Sequence, residues 1–298
     1  SCWHGGCVRL MYTFVTSLNK QYWESTSKLN IHSWSEHLPH DVKIVVYSED
    51  FIDVGEVDPR IEYKPLYELA PELVEFKEKH KNDSHYNGKI GKKQEGTTKA
   101  FKWQGIKFAH KTFAIFAESK IQDDGYLVWC DADVLIHKPV DHVYLEKLFP
   151  TDKSITYLGR PDEYDECGLM GYNLNTKFAK DFLVKYENEY LNGLEHLRET
   201  HDSWIFFQLR LGFDDQSVFH NLNPNPINNK SPFNNSGINE VMVHTKGKNK
   251  ERIQQKFLKR FALEEARKER QLLMQEYLED TIPLADKARK HTVTTKES

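Results

Sequence analysis

The period of the apolar positions changes twice before residue 50. Residues 11–16 (MYTFVT) form a short, largely apolar run that reads as a buried strand. Residues 17–34 then set Tyr22, Thr26 and Leu29 on one helical stripe, and residues 42–47 (VKIVVY) return to a β-branched run. Strand, helix and strand at this spacing predict a βαβ unit and a parallel sheet. Residues 75–99 are rich in Lys and Gly, include Asn87-Gly88 and Gly91, and read as a mobile loop. Residues 100–118 regain helical periodicity, with Phe101, Gly105, Phe108, Ala109, Thr112, Phe113 and Phe116 on one face. Residues 126–130 (YLVWC) then form an apolar strand that runs directly into Asp131.

Beyond it the pattern predicts strands at 155–158, 169–174 and 241–244, helices at 176–192 and 202–211, and an Asn/Pro/Ser-rich loop at 221–237. Residues 250–279 read as one long charged helix carrying Ile253, Phe257, Phe261, Leu272, Leu273 and Tyr277, and residues 286–298 as a frayed tail. The predicted organisation is an α/β catalytic domain over 11–249, with a mixed, mainly parallel sheet flanked by helices, and a C-terminal helical extension over 250–298. That extension is expected to pack on its own domain or to join a homodimer.

The 298 residues suffice for one large α/β domain with a real core. A net charge of −4 and a pI near 6.4 argue against a nucleic-acid partner. No run approaches the roughly 20 apolar residues that span a bilayer, so no transmembrane segment is expected. Residues 1–10 lack the apolar stretch of a signal peptide. The four cysteines, Cys2, Cys7, Cys130 and Cys167, make no CxxC pair, which suggests a reducing, cytoplasmic setting. A soluble catalytic domain cut from a secretory-pathway enzyme is the alternative.

The sharpest chemical feature is Asp131-Ala132-Asp133 at the end of an apolar strand. Ligands of open α/β sheets sit outside the carboxyl ends of strands. Two carboxylates one residue apart can share a hard divalent cation there, and such a cation can bridge two phosphates. A pair of solvated turn aspartates is the plainer alternative. His244, near the end of a short strand, could add a neutral imidazole, or be a satisfied structural histidine. Asp202 opens the helix DSWIFFQL and is a cap candidate before it is a general base. Asp215 and Gln216 open a further element, where Asp215 could likewise be a cap. Lys102 and Lys107 lie on the helix before the aspartates and Lys99 just ahead of it, within reach of donor phosphates or simply on the surface. Asp162, Glu163, Asp165 and Glu166 make an acidic loop that could grip acceptor hydroxyls or face solvent.

The segment LVWCDADVLIHKPV (residues 127–140) resembles the DxD region of glycosyltransferases with the GT-A fold. In order along the chain, residues 167–174 (CGLMGYNL) resemble the acceptor-side strand of the retaining glycogenin-like and lipopolysaccharide galactosyltransferase group. Residues 214–219 (DDQSVF) resemble that group's D-Q-D motif, and residues 244–250 (HTKGKNK) the H-x-x-G-x-x-K part of its C-terminal motif. The sequence departs from the pattern at Cys167, Ser217 and Glu251-Arg252.

The resemblance implies a GT-A-like fold and transfer of a sugar from a nucleotide-sugar, a UDP-sugar first, to a hydroxyl of a glycan. It implies Mn²⁺ or Mg²⁺ held by Asp131, Asp133 and His244. Thr13, Lys102, Asp131, Gly247 and Lys250 would hold the donor, and Asp215 and Gln216 would lie beside the anomeric carbon with retention preferred. Asp202 is the base if the enzyme inverts. The rival readings are a DxD phosphotransferase or phosphatase with an aspartate nucleophile, and an inactive scaffold built around the C-terminal helix.

Overall fold

The structure is a computed structural model describing residues 10–50, 58–89, 100–225 and 231–245, with 252, 255, 256, 258, 259, 262, 263 and 266–275. Its strands are β1 (Tyr12–Leu18), β2 (Lys43–Ser48), β3 (Ile61–Pro65), β4 (Tyr126–Cys130), β5 (Val134–Ile136), β6 (Ile155–Leu158), β7 (Glu166–Asn173), β8 (Phe219–Asn221) and β9 (Met242–His244). Seven of them build one sheet in the order β3-β2-β1-β4-β7-β6-β8, and β5 and β9 form a small separate pair. Strands β1 to β4 run parallel, β7 is antiparallel to both β4 and β6, and β8 runs parallel to β6. The fold is thus mixed α/β with a mainly parallel sheet. The C-terminal ends of β1, β2, β4, β6 and β8 all open on one edge.

The principal helices are α1 (Lys28–His37), α2 (Pro71–His80), α3 (Gly105–Ile121), α4 (His142–Leu148), α5 (Lys177–Asn188) and α6 (Asp202–Leu211). They cover both faces of the sheet, which is why β1, β2 and β4 read as continuous apolar runs rather than alternating ones. On one face Phe14, Leu18, Ile44, Val46 and Val128 pack with Ile31 and Trp34 of α1. On the other Val15, Val45, Leu127 and Trp129 pack with Phe113 and Phe116 of α3, Tyr186 of α5 and Phe206 of α6.

Several elements differ from the sequence expectation. Strand β1 continues to Leu18, so the following helix starts at Lys20, where Asn19 accepts a hydrogen bond from the Tyr22 amide at 2.8 Å. That helix passes through a π-helical stretch, Trp23–Ser27, before α1. Residues 75–80, expected to be loop, belong to helix α2 (Pro71–His80). Pro71 sits at the helix start and Leu73, Phe76 and His80 are buried, while the charged residues that suggested a loop lie largely on the outer face. Ser84–Asn87 forms a further helical turn within that expected loop, and its residues 90–99 lie outside the described residues. Strands β3, β5 and β8 were not evident in the pattern. The first is a sheet edge ending in Pro65, and the others are three residues long.

Contacts within the chain divide it into Ser1–His244 and Thr245–Ser298. Every described residue from 252 to 275 is helical, and Leu258, Leu263, Leu272, Leu273 and Met274 are exposed. Ile253, Phe257, Phe261 and Tyr277 lie outside the described residues. Among the described residues no helix is long and apolar enough to cross a membrane.

Gly125, the residue before β4, lies in the left-handed region at φ 77°, and a Cβ there would lie 2.7 Å from the Met11 carbonyl oxygen. Gly125→Ala is therefore expected to cost about 1–3 kcal/mol of stability from backbone strain. Because Gly125 lies at the strand end remote from Asp131, thermal unfolding should show a lowered midpoint, whereas divalent-cation binding should be unchanged.

Candidate metal and donor site

Strand β4 is fully buried and delivers Asp131 to the open edge of the sheet. The Asp131 amide donates to the Gly168 carbonyl at 2.9 Å, and the Val134 amide returns to the Asp131 carbonyl at 2.8 Å, which closes a tight turn through Asp133. Strand β5 follows and pairs antiparallel with β9, with Val134 opposite His244. This pairing brings an imidazole from more than a hundred residues downstream beside the aspartates. His244 Nε2 lies 2.6 Å from Asp133 Oδ1 and 3.5 Å from Asp131 Oδ2. One ligand atom from each of the three residues fits within 4.8 Å of the others.

Helix α1 braces the turn from the face on which it packs. Asn30 Nδ2 donates to the Ala132 carbonyl at 3.0 Å, Trp34 Nε1 donates to the Val134 carbonyl at 2.7 Å, and Ser33 Oγ accepts from the Ile136 amide at 3.1 Å. Each satisfies a backbone group that would otherwise be buried unpaired. Gly168, on the neighbouring β7, leaves room for the imidazole. A Cβ there would stand 2.9 Å from His244 Cε1 and 3.0 Å from its Nδ1.

The opposite face supplies side chains that the sequence reading missed. Lys111 of α3 is buried, with Nζ 2.9 Å from Asp131 Oδ1 and 3.0 Å from Asp202 Oδ2, and it donates to the Cys167 carbonyl. Burial alone would pull the Lys111 ammonium down, but the Asp131 and Asp202 carboxylates outweigh it and hold its pKa well above the ordinary value. Trp129 Nε1 donates to the same Asp131 Oδ1 at 2.7 Å, and the Lys111 ammonium lies 5.2 Å from the Trp129 ring centre. Tyr22 reaches Asp133 from the helix after β1. Its hydroxyl is raised far above the usual phenol range by burial and then by the Asp133 charge, so it stays a neutral donor. On the imidazole's other side, Glu166 Oε1 lies 3.9 Å from His244 Nδ1, and Glu166 is ion-paired with Arg160.

Other residues singled out in the sequence lie elsewhere. Thr13 is the second residue of β1 and pairs with Leu127 near the start of β4, so it is buried at the wrong end of the strand to meet a ligand on the open edge. The extension of β1 to Leu18 moves the strand's carboxyl end beyond the residues expected there. Asp215 and Gln216 precede β8, whose first residue pairs with the first residue of β6, so both lie at the sheet edge opposite Asp131. Asp215 is exposed and caps its own turn, accepting from the Ser217 amide at 2.9 Å; Gln216 Nε2 is spent on the Arg210 and Phe213 carbonyls. The hydrogen bonds from Ser217 keep the Asp215 carboxyl below its usual range. The resemblance to a D-Q-D motif therefore does not bring these residues to the cluster.

Asp202 is beside the cluster, yet it is buried and held by Lys111 rather than open to an acceptor hydroxyl. Lys102 turns to Glu199 at 2.8 Å. Lys107 is exposed, and Lys99, Gly247 and Lys250 lie outside the described residues. Of the acidic loop, Asp165 is locked to Arg210 and Glu166 to Arg160, while Asp162 and Glu163 are exposed.

Two carboxylate oxygens and one imidazole nitrogen at the mouth of the sheet make a donor set suited to Mn²⁺ or a similar divalent cation. No protein-family model matches the chain, and no curated protein matches it. Similar solved structures include mouse xyloside xylosyltransferase 1 in its apo form, at 13% identity and TM-score 0.43 over 72% of this chain and 86% of that one. The WbbM bifunctional glycosyltransferase matches at 13% identity and TM-score 0.43 over 82% of this chain and 47% of that one. The glycosyltransferase GlyE of Streptococcus pneumoniae TIGR4 matches at 11% identity and TM-score 0.41 over 72% of this chain and 45% of that one. The chain spans under half the length of the last two, and likenesses this faint carry no conclusion about chemistry.

Two expectations follow from the geometry. Gly168→Ala should displace the His244 ring and weaken Mn²⁺ binding about 10-fold, the scale of an outer-shell defect, with titration calorimetry as the readout. Glu199 is the second case. Its burial is outweighed by hydrogen bonds from His201 and Lys102, so its carboxyl falls from 4.5 to about 2. A carboxyl depressed in the folded state stabilises the fold above its unfolded pKa, and that stability drains away as pH falls toward the folded one. Glu199→Gln should therefore flatten the stability-against-pH curve between about pH 5 and pH 2, as followed by denaturant titration.

Proposed function

We propose that the chain is a metal-dependent glycosyltransferase of the GT-A kind, which moves a sugar from a nucleoside diphosphate donor, a UDP-sugar first, to a hydroxyl acceptor on a glycan. The single observation that carries this reading is the convergence of Asp131, Asp133 and His244 at the carboxyl end of β4. In this reading those residues hold Mn²⁺ or Mg²⁺, and the cation offsets the charge on the departing nucleoside diphosphate. Tyr22 offers Asp133 a neutral hydrogen bond, and the α1 side chains keep the turn rigid, so the donor set exists before the donor arrives. The DxD segment at residues 127–140, with His244 brought beside it, supports the same class.

The phosphatase reading needs an aspartate free to attack phosphorus. His244 Nε2 lies 3.5 Å from Asp131 Oδ2 and 2.6 Å from Asp133 Oδ1, which favours a shared cation over attack by one carboxylate. The preference for retention rested on Asp215 and Gln216 and is not carried forward, since both sit at the far edge of the sheet.

Thermal unfolding with UDP-, GDP- and dTDP-sugars, each with and without Mn²⁺, tests the proposal. A cognate donor at about 100 times its Kd should stabilise the native state by about 2.7 kcal/mol, only when metal is present. Asp133→Ala should abolish both this shift and Mn²⁺-dependent donor turnover without unfolding the protein. Full turnover by Asp133→Ala at saturating donor would contradict the metal assignment.

A further inference from the structure

We propose that Trp129 and Lys111 act together as the positioning residues of Asp131, locking its Oδ1 so that Oδ2 alone is presented to a divalent cation. The inference rests on the reading of Asp131, Asp133 and His244 as a cation site. Asp131 Oδ1 accepts from Trp129 Nε1 at 2.7 Å and from Lys111 Nζ at 2.9 Å, so both lone pairs of that oxygen are engaged. The other oxygen, Oδ2, is the one that faces the imidazole, 3.5 Å from His244 Nε2. A carboxylate held this way binds with one oxygen. That mode suits small cations with short, well-defined coordination distances, whereas bidentate carboxylates suit larger, more flexible ones such as Ca²⁺.

The two clamping groups are themselves fixed. Trp129 belongs to a fully buried strand and its ring packs in the core with α3. Lys111 has three donors and three acceptors: Asp131 Oδ1, Asp202 Oδ2 and the Cys167 carbonyl. Asp202 therefore anchors the ammonium from α6. Removing the ammonium alone would leave a buried carboxylate unpaired, which is strongly destabilising. A variant that keeps the charge balance must change Asp202 with it.

The test measures Mn²⁺ and Ca²⁺ binding to the whole chain by titration calorimetry, without donor, in wild type, Trp129→Phe and the double variant Lys111→Met/Asp202→Asn. Trp129→Phe keeps an aromatic ring in the core, removes the Nε1 donor together with part of the indole's volume, and changes no charge. The metal-free unfolding midpoint of each variant reports whether the fold survives. The expected result is a loss of Mn²⁺ affinity of about 10-fold in Trp129→Phe, in line with outer-shell changes at metal sites, with a smaller loss for Ca²⁺. The double variant should show the same change in Mn²⁺-to-Ca²⁺ preference. A folded Trp129→Phe that binds both cations as wild type does would overturn the proposal while leaving the cation site intact. A wild-type protein that binds neither cation would instead contradict the site reading itself.

Discussion

Everything at the open edge of this sheet depends on holding two aspartates of like charge beside an imidazole without letting them drift apart. Carboxylates one residue apart at the end of a buried strand repel, and the low-dielectric surroundings sharpen that repulsion. The protein answers from several directions. Lys111 places a buried positive charge against Asp131, Tyr22 gives Asp133 a neutral donor, and α1 ties the intervening backbone at Ala132, Val134 and Ile136. The arrangement is therefore a preorganised one, in which side chains from β4, α1, α3 and β9 meet at a short turn.

Packing on the two sides of the sheet explains why this works. The α1 face delivers amide, hydroxyl and indole groups to backbone, which fixes the path of the turn. The α3 face delivers a charge to a side chain, which fixes the orientation of one carboxylate. The small β5–β9 pair completes the set by bringing His244 to the same point, and Gly168 leaves the space the ring occupies. The strand and its neighbours are buried on both faces, so a change in the site is transmitted to rigid elements rather than absorbed by a loop.

The Asp131–Asp133 pair was legible in the sequence because the strand YLVWC is short, apolar and ends on the aspartates, and the layered α/β architecture followed from the same kind of run. His244 was legible only as a candidate, since its partner strand, β5, is three residues long and carries no periodic signal. Lys111 was missed because a lysine within a helix reads as surface charge, although here it sits among the apolar residues of α3 and is buried. Asp215 and Gln216 show the opposite failure. Local motif likeness says nothing about which end of a strand a turn occupies, and a turn that leads into β8 must lie at that strand's start. Thr13 misled for a related reason, because the apolar run did not reveal that β1 continues through Ser17 and Leu18.

The central claim, that Asp131, Asp133 and His244 together hold one divalent cation for a nucleoside diphosphate, is tested most directly by crystallography with Mn²⁺ and UDP. Anomalous scattering should reveal a single manganese peak bonded to one oxygen of each aspartate and to His244 Nε2, at about 2.0–2.3 Å, within the range of hard-cation and imidazole bonds, with the diphosphate on its open side. A well-ordered nucleotide at the edge of the sheet with no manganese between these three residues, or manganese bound elsewhere, would contradict the account.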